Sequence, residues 1–257
     1  MERTHDNELM SEEAGPEDKP RLNRCLILLL GTCVVIVTGL AVWKGVREIL
    51  VERHIAETTQ AIAALEAAGG KFGVEDKGLE VKSSSSITFG LAARITDADM
   101  SHFEKLPNLC AINLNHARIG DDGLVHLKGL GKLQALDLIN TQVSDAGLAH
   151  LNGLTSLQGL DLEGTQVTDE GMEHLSKLKL RALNLSRTKV TDAGVRQLAG
   201  HTELQVLGLD KTEITDASLE HLQRLANLKV LSVKETKITD AGIKDIQQAL
   251  PNARIHR

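Results

Sequence analysis

Leu151 to Leu175 read LNGLTSLQGLDLEGTQVTDEGMEHL, and this stretch decides the fold because it recurs along the chain. In the unit one step earlier, Leu136 and Leu138 alternate with Ala135, Asp137 and Ile139, as in a short strand with one apolar side. Thr141, Val143 and Ser144-Asp145-Ala146-Gly147 follow, and then Leu148, Leu151 and Leu154 recur at every third position, the spacing of a tight helical or 3₁₀ turn. Anchored on the aspartate, the copies fall at Asp97, Asp121, Asp145, Asp169, Asp192, Asp216 and Asp240, in steps of 24, 24, 24, 23, 24 and 24.

A strand and a helical turn repeating at this period make one supersecondary unit that buries a core only by stacking on its neighbours. The fold class expected is α/β: a leucine-rich-repeat solenoid over residues 95–257, six full units and a partial one, with a curved parallel sheet backed by short helices. At about 4.8 Å between strands, six units give a sheet roughly 29 Å long. Four aromatics and no Tyr in 257 residues leave that core to Leu, Val, Ile and Ala.

The chain before the repeats reads differently. Residues 25–43, CLILLLGTCVVIVTGLAVW, carry no charge and as a helix span about 28 Å, the reach of one transmembrane helix. Arg21 and Arg24 precede it and Trp43 and Lys44 follow, as interfacial anchors would. A cleaved signal peptide is the rival reading, opposed by a long acidic leader and by the lack of a clear A-x-A site. Residues 1–24 hold seven acidic and four basic residues and read as a disordered tail. Flanking positive charges tie at Lys19, Arg21 and Arg24 against Lys44, Arg47 and Arg53, so the expectation of a single-pass protein with its repeats outside rests on how uncleaved amino-terminal anchors often insert.

Residues 44–69 read as a juxtamembrane helix closed by Gly69-Gly70. Val51, Ile55, Thr58, Ile62 and Leu65 are spaced 4, 3, 4, 3, which allows two readings: a coiled coil joining two copies through 51–65, or a stalk whose Ile62 and Leu65 cap the first repeat. Residues 70–94 read as irregular cap strands, with Ile87, Phe89 and Leu91 alternating one residue out of register with the later units.

The columns of the repeat sort into structure and surface. Thr141, Thr165, Thr188, Thr212 and Thr236 stand at one position, where a hydroxyl can satisfy backbone groups left open at the turn and so help join the units. The aspartate opens the helical half and is expected to cap its orphan amides. The glycine column contains Asp99 and Ser218, so close packing by small residues explains it better than positive φ. His102, His126, His150, His174 and His221 form a ridge, but Gln197 interrupts it and no Cys or paired carboxylate shares it, so no metal is expected. Asn184-Leu185-Ser186 spells a glycosylation triplet in mid-strand, a chance match.

No H-E-x-x-H, G-x-S-x-G, P-loop or C-x-x-C occurs, so neither an enzyme nor a cofactor is expected. A formal charge of −6 and a pI near 5.9 exclude the basic surface that nucleic acid requires. Cys110 is the one cysteine beyond the apolar span, so no disulfide framework is available there.

The units resemble the repeats of ribonuclease-inhibitor-like and cysteine-containing leucine-rich-repeat proteins, with Thr at the Asn or Cys position. AIAALEAAGGKFGVE, from Ala61, followed by such units resembles membrane-anchored repeat proteins of planctomycete-type bacteria. The resemblance covers Ala61 to Arg257 and implies a horseshoe with a binding role. Eukaryotic relatives often carry an F-box where this chain has its apolar span, so a ubiquitin-ligase role does not transfer.

Binding is then expected on the concave strand positions. One column runs Asn113, Asp137, Asp161, Asn184, Gly208 and Ser232, and the next Asn115, Ile139, Glu163, Ser186, Asp210 and Lys234. This polar, mildly acidic face lacks Trp, Tyr and Arg and fits a polar or basic protein or glycan ligand of modest affinity. The alternative is an envelope component that self-associates through stalk and solenoid.

Overall fold

The structure is a computed structural model; it describes residues 53, 56–73, 86–89 and 94–257. The tail and the apolar span at 25–43 lie outside the described residues, and among those described no helix is long and apolar enough to cross a membrane.

Residues 55–257 form one compact unit. Among the described residues its nine strands are β1 (Gly70–Gly73), β2 (Ser86–Phe89), β3 (Ala111–Asn113), β4 (Ala135–Asp137), β5 (Gly159–Asp161), β6 (Ala182–Asn184), β7 (Val206–Gly208), β8 (Val230–Ser232) and β9 (Arg254–His256). They lie side by side in chain order; β1 and β2 are antiparallel and every later pair is parallel. Register follows the repeat: Leu136 pairs with Leu160, and Leu160 with Leu183. The 23-residue step leaves the strands in register, so the missing residue falls between the helix Met172–Leu175 and β6.

Alternation sends one side of each strand inward, and Leu136, Leu138, Leu183, Leu185, Leu207 and Leu209 are all buried. The helical halves meet them with Leu124, Leu148, Met172 and Val195, also buried. Fully burying one such side chain is worth about 1.5–3 kcal/mol, and a single unit has no second layer against which to bury it.

At the amino side, residues 56–67 are helical. Gly69, at φ +96°, ends that helix in a conformation other residues reach only with strain. Ala61 and Leu65 are buried in the common core, and Ile62 packs against it. Leu65 is thus buried within its own chain, which removes it from a seam with a second copy; Val51 and Ile55 lie outside the described residues.

Two columns act differently from the sequence reading. The threonine hydroxyls do not join units: Thr141, Thr165, Thr188, Thr212 and Thr236 each donate to the carbonyl three residues earlier in their own turn, at 2.6–2.8 Å for Thr188 and Thr141 respectively. The aspartates do join them. Asp145 accepts from the backbone N–H of Thr168 at 2.8 Å and from its hydroxyl at 2.6 Å, one unit on. Asp121 does the same to Ser144, Asp169 to Thr191, Asp192 to Thr215 and Asp216 to Thr239, while Asp97 reaches the Gly120 N–H. Each carboxylate therefore holds the residue that begins the next unit's helical half, not its own helix.

This bridge explains the glycines. A Cβ on Gly171 would stand 2.3 Å from Asp145 Oδ1, and one on Gly147 2.4 Å from Asp121 Oδ1. The exceptions fit the same account. Asp99 occupies the glycine position of the first unit and itself accepts from Thr96 N–H at 2.8 Å and Thr96 Oγ1 at 2.9 Å, supplying from within the unit the carboxylate that later units receive from their predecessor. The units with Asp99 and Ser218 both open as 3₁₀ helix, Asp97–Lys105 and Asp216–Ser218. Asp240, at the end of the series, pairs with the Arg257 guanidinium.

Positive φ lies elsewhere, at His116, Asn140, Gly164, Arg187, Lys211 and Glu235, the residue just before the threonine position.

Two expectations follow from these columns. Asp145→Ala should cost about 1–3 kcal/mol through the orphaned Thr168 donors and Gly171→Ala about the same through the forced contact. The double variant should lose clearly less than the sum in urea denaturation, because removing the carboxylate clears the space for the new Cβ; strict additivity would contradict the shared geometry. Lys211→Gly should raise stability by up to about 1 kcal/mol in the same assay, since it relieves a left-handed backbone, and the exposed Lys211–Glu235 pair it removes contributes little.

Candidate binding face

The sheet face opposite the helices carries three residues from each unit, and strand pairing lines them up into columns. The first, Ala111, Ala135, Gly159, Ala182, Val206 and Val230, is a small apolar shelf absent from the sequence reading. The second and third are the two polar columns expected. Between them lies a hollow of about 520 Å³ reaching from Asp137 across β5, β6 and β7 to Ser232. Asp161, Glu163, Asn184, Ser186 and Asp210 line it together with Lys211 and Arg187, an arginine the sequence reading did not place on this face. Asn113, Asn115, Ile139 and Lys234 belong to the same columns but lie outside the hollow.

Most of the polar groups here have a structural duty. The strand-exit N–H of each unit needs an acceptor beyond the three-residue ladder. Asn113, Asp161 and Asn184 each accept from the N–H two residues on, at 3.1, 3.0 and 3.0 Å. Where the second column cannot serve, the preceding unit's third column does. Gly208 has no side chain, so Ser186 Oγ accepts from Asp210 N–H at 3.2 Å, and Asp210 in turn accepts from Lys234 N–H at 2.8 Å. Gly208 is also required sterically, because a Cβ there would meet Asn184 Oδ1 at 2.4 Å.

Asp137 is the departure from that rule. Asn115 Oδ1 already accepts from Ile139 N–H at 2.9 Å, so no backbone donor is left for Asp137, which accepts from Asn113 Nδ2 at 3.1 Å. Burial first, and the neighbouring Asp161 second, push its carboxyl above the ordinary 3.8, with the Asn113 bond opposing them. A carboxylate raised by burial and by a like charge is stabilised by any cation or donor that enters the hollow. Glu163 is the other acid without a backbone duty; it accepts from Asn184 Nδ2 at 3.3 Å and lies 3.9 Å from Arg187.

The histidine ridge stays outside this site. His126 Nδ1 lies 2.6 Å from Glu104 and His221 Nε2 3.3 Å from Glu220, and among the described residues no cluster of His, Cys, Asp and Glu could hold a metal.

Comparison with known proteins agrees with the repeat geometry. Residues 153–176 and 177–199 match the family described as Leucine Rich repeat. No curated protein matches the chain. Among solved structures it is similar to an internalin (inlF) from Listeria monocytogenes, at 22% identity over 61% of this chain and 49% of that one, with a TM-score of 0.48. It is also similar to internalin C2 of the same organism, at 23% identity over 67% of this chain and 80% of that one, with a TM-score of 0.49. The match thus spans about half the length of the first internalin. The chain carries leucine-rich repeats stacked into an α/β solenoid, a parallel sheet backed by short helices.

The folded Asp137 holds its proton more tightly than the unfolded chain does. Its contribution to stability is therefore complete below pH 3.8 and is lost as pH rises through the raised value. Carboxyl NMR titration should place Asp137 above 3.8, and Asp161→Asn should bring it down. Asp137→Asn should gain more in thermal stability at pH 7 than at pH 3; an equal effect at both would contradict the assignment.

Proposed function

We propose that this chain is a membrane-tethered binding protein in which the span at 25–43 anchors repeats that lie outside the membrane. The open sheet face then takes a protein or glycan ligand carrying a cationic or hydrogen-bond-donating group. The observation that carries the ligand class is Asp137, a half-buried carboxylate lining the hollow that, among the described residues, no backbone N–H calls on. The apolar shelf beside it, Gly159, Ala182 and Val206, favours a protein segment over a sugar, because small side chains leave room for a backbone to lie close. The face performs binding rather than turnover in this reading: its polar groups hold strand exits and one another, and none is paired as a nucleophile with a base.

Asp161 and Asp210 hold backbone groups, so a test of the face should spare them. Crosslinking in intact membranes should capture a partner with the native chain and lose it with Asp137→Lys combined with Glu163→Lys, the double variant keeping native thermal stability. Undiminished capture would remove the open face as the site. Crosslinks to copies of the chain alone would favour the self-associating envelope component. Protease added outside should cut the repeats if the orientation is as proposed.

A further inference from the structure

The short unit adjoins His201, the one buried histidine among the described residues. In the 24-residue units a leucine ends the helical half, and its carbonyl accepts from the N–H three residues on: Leu130 from Leu133 at 2.9 Å, Leu154 from Leu157 at 2.9 Å and Leu225 from Leu228 at 2.9 Å. In the 23-residue unit the missing residue lies between Leu178 and Leu180, and the N–H three residues after Leu178 goes instead to Gln158 at 2.7 Å. Among the described residues no backbone N–H reaches the Leu178 carbonyl. One unit on, the leucine position holds His201, 7% exposed, and its ring lies against that same carbonyl. Nε2 is buried without a partner, which leaves Nδ1 as the nitrogen able to donate to Leu178 when the ring is neutral.

We infer that His201 and the missing residue are a matched pair forming an acid-sensitive joint in the solenoid: the neutral imidazole closes the gap over Leu178, and the imidazolium opens it. Protonation would place an N–H⁺ at Nε2, where no acceptor stands and water is excluded, a cost that unfolding or local opening relieves. The charged groups on the three stacked turns are Lys177, Lys179 and Arg181 before it, Glu203 on its own turn and Arg224 after it. All are exposed, and Arg181 and Glu203 face each other at 4.0 Å. His174 lies in the preceding unit, and in the following one His221 Nε2 sits beside Glu220 while its Nδ1 is buried without a partner. Burial pushes the ring below the ordinary 6.5, and the Leu178 bond opposes this only in part. A depressed imidazole contributes stability that is complete above 6.5 and is lost as pH falls below it. The joint lies between β6 and β7, which both line the hollow, so acid loosens the sheet beside it.

The full-length chain, unfolded by urea between pH 7.5 and 5, tests this. The folded-to-unfolded ratio of the native protein should fall by up to about tenfold per pH unit below 6.5 beyond that of His201→Asn, whose amide keeps a donor at the Nδ1 position and does not titrate. Parallel curves for the two would overturn the proposal. His201→Leu should destabilise the chain at pH 7.5 although it restores the leucine column, and one residue inserted after Lys179 should reverse that loss; a stabilising His201→Leu would overturn the pairing. If His201→Asn does not fold, hydrogen exchange of the native protein decides. The amides of Arg181 and Leu204, corrected for intrinsic rates, should lose protection between pH 6.5 and 5.5, while those of Leu136 and Leu160 keep theirs. Uniform protection would overturn the joint.

Discussion

The solenoid depends on a carboxylate placed between units. Strands and leucines stack because the period brings like against like, but each helical half has to begin with an N–H that its own unit leaves without an acceptor. The aspartate of the preceding unit accepts that N–H and, in five of its six uses, a hydroxyl as well. Charge-assisted bonds of this kind are about twice as strong as neutral ones. The same oxygen occupies the space where a Cβ would stand, so Asp and Gly two residues apart in the repeat are one device read across two units. At its two ends the device changes: Asp99 serves Thr96 from within its own unit, and Asp240 pairs with the Arg257 guanidinium.

The helices and turns therefore keep their polar groups for themselves, and the proposed binding site lies on the open face of the sheet. Even there, the conflict between holding strand exits and meeting a ligand is resolved residue by residue. Asn115 serves Ile139 and thereby releases Asp137; Gly208 gives up its side chain to make room for Asn184 and thereby obliges Ser186 to serve Asp210.

Much of this was legible in the chain itself. Leucine spacing fixed strands, helical halves and stacking, and the single 23-residue step marked the irregular unit. The reach of the aspartate was not legible, because capping its own helix and capping the next unit place the same residue at the same position; only the stacked geometry separates them. The left-handed position escaped notice because Arg187, Lys211 and Glu235, which share it with His116, Asn140 and Gly164, are not residues that ordinarily signal positive φ. The apolar shelf was hidden by its smallness, since Ala and Gly in a strand carry no signal of facing outward. His201 stood visibly in a leucine column, yet its meaning required the unsatisfied Leu178 carbonyl of the unit before.

Native-state hydrogen exchange of the six amides that the aspartates hold, those of Gly120, Ser144, Thr168, Thr191, Thr215 and Thr239, tests the central claim most directly. If inter-unit carboxylates hold the solenoid together, these turn amides should open with the same free energy as the buried strand amides of Leu136, Leu160 and Leu183, as one cooperative unit. Exchange at the rates of unprotected turns, with the strands still protected, would contradict it and leave leucine packing alone as what holds the repeats.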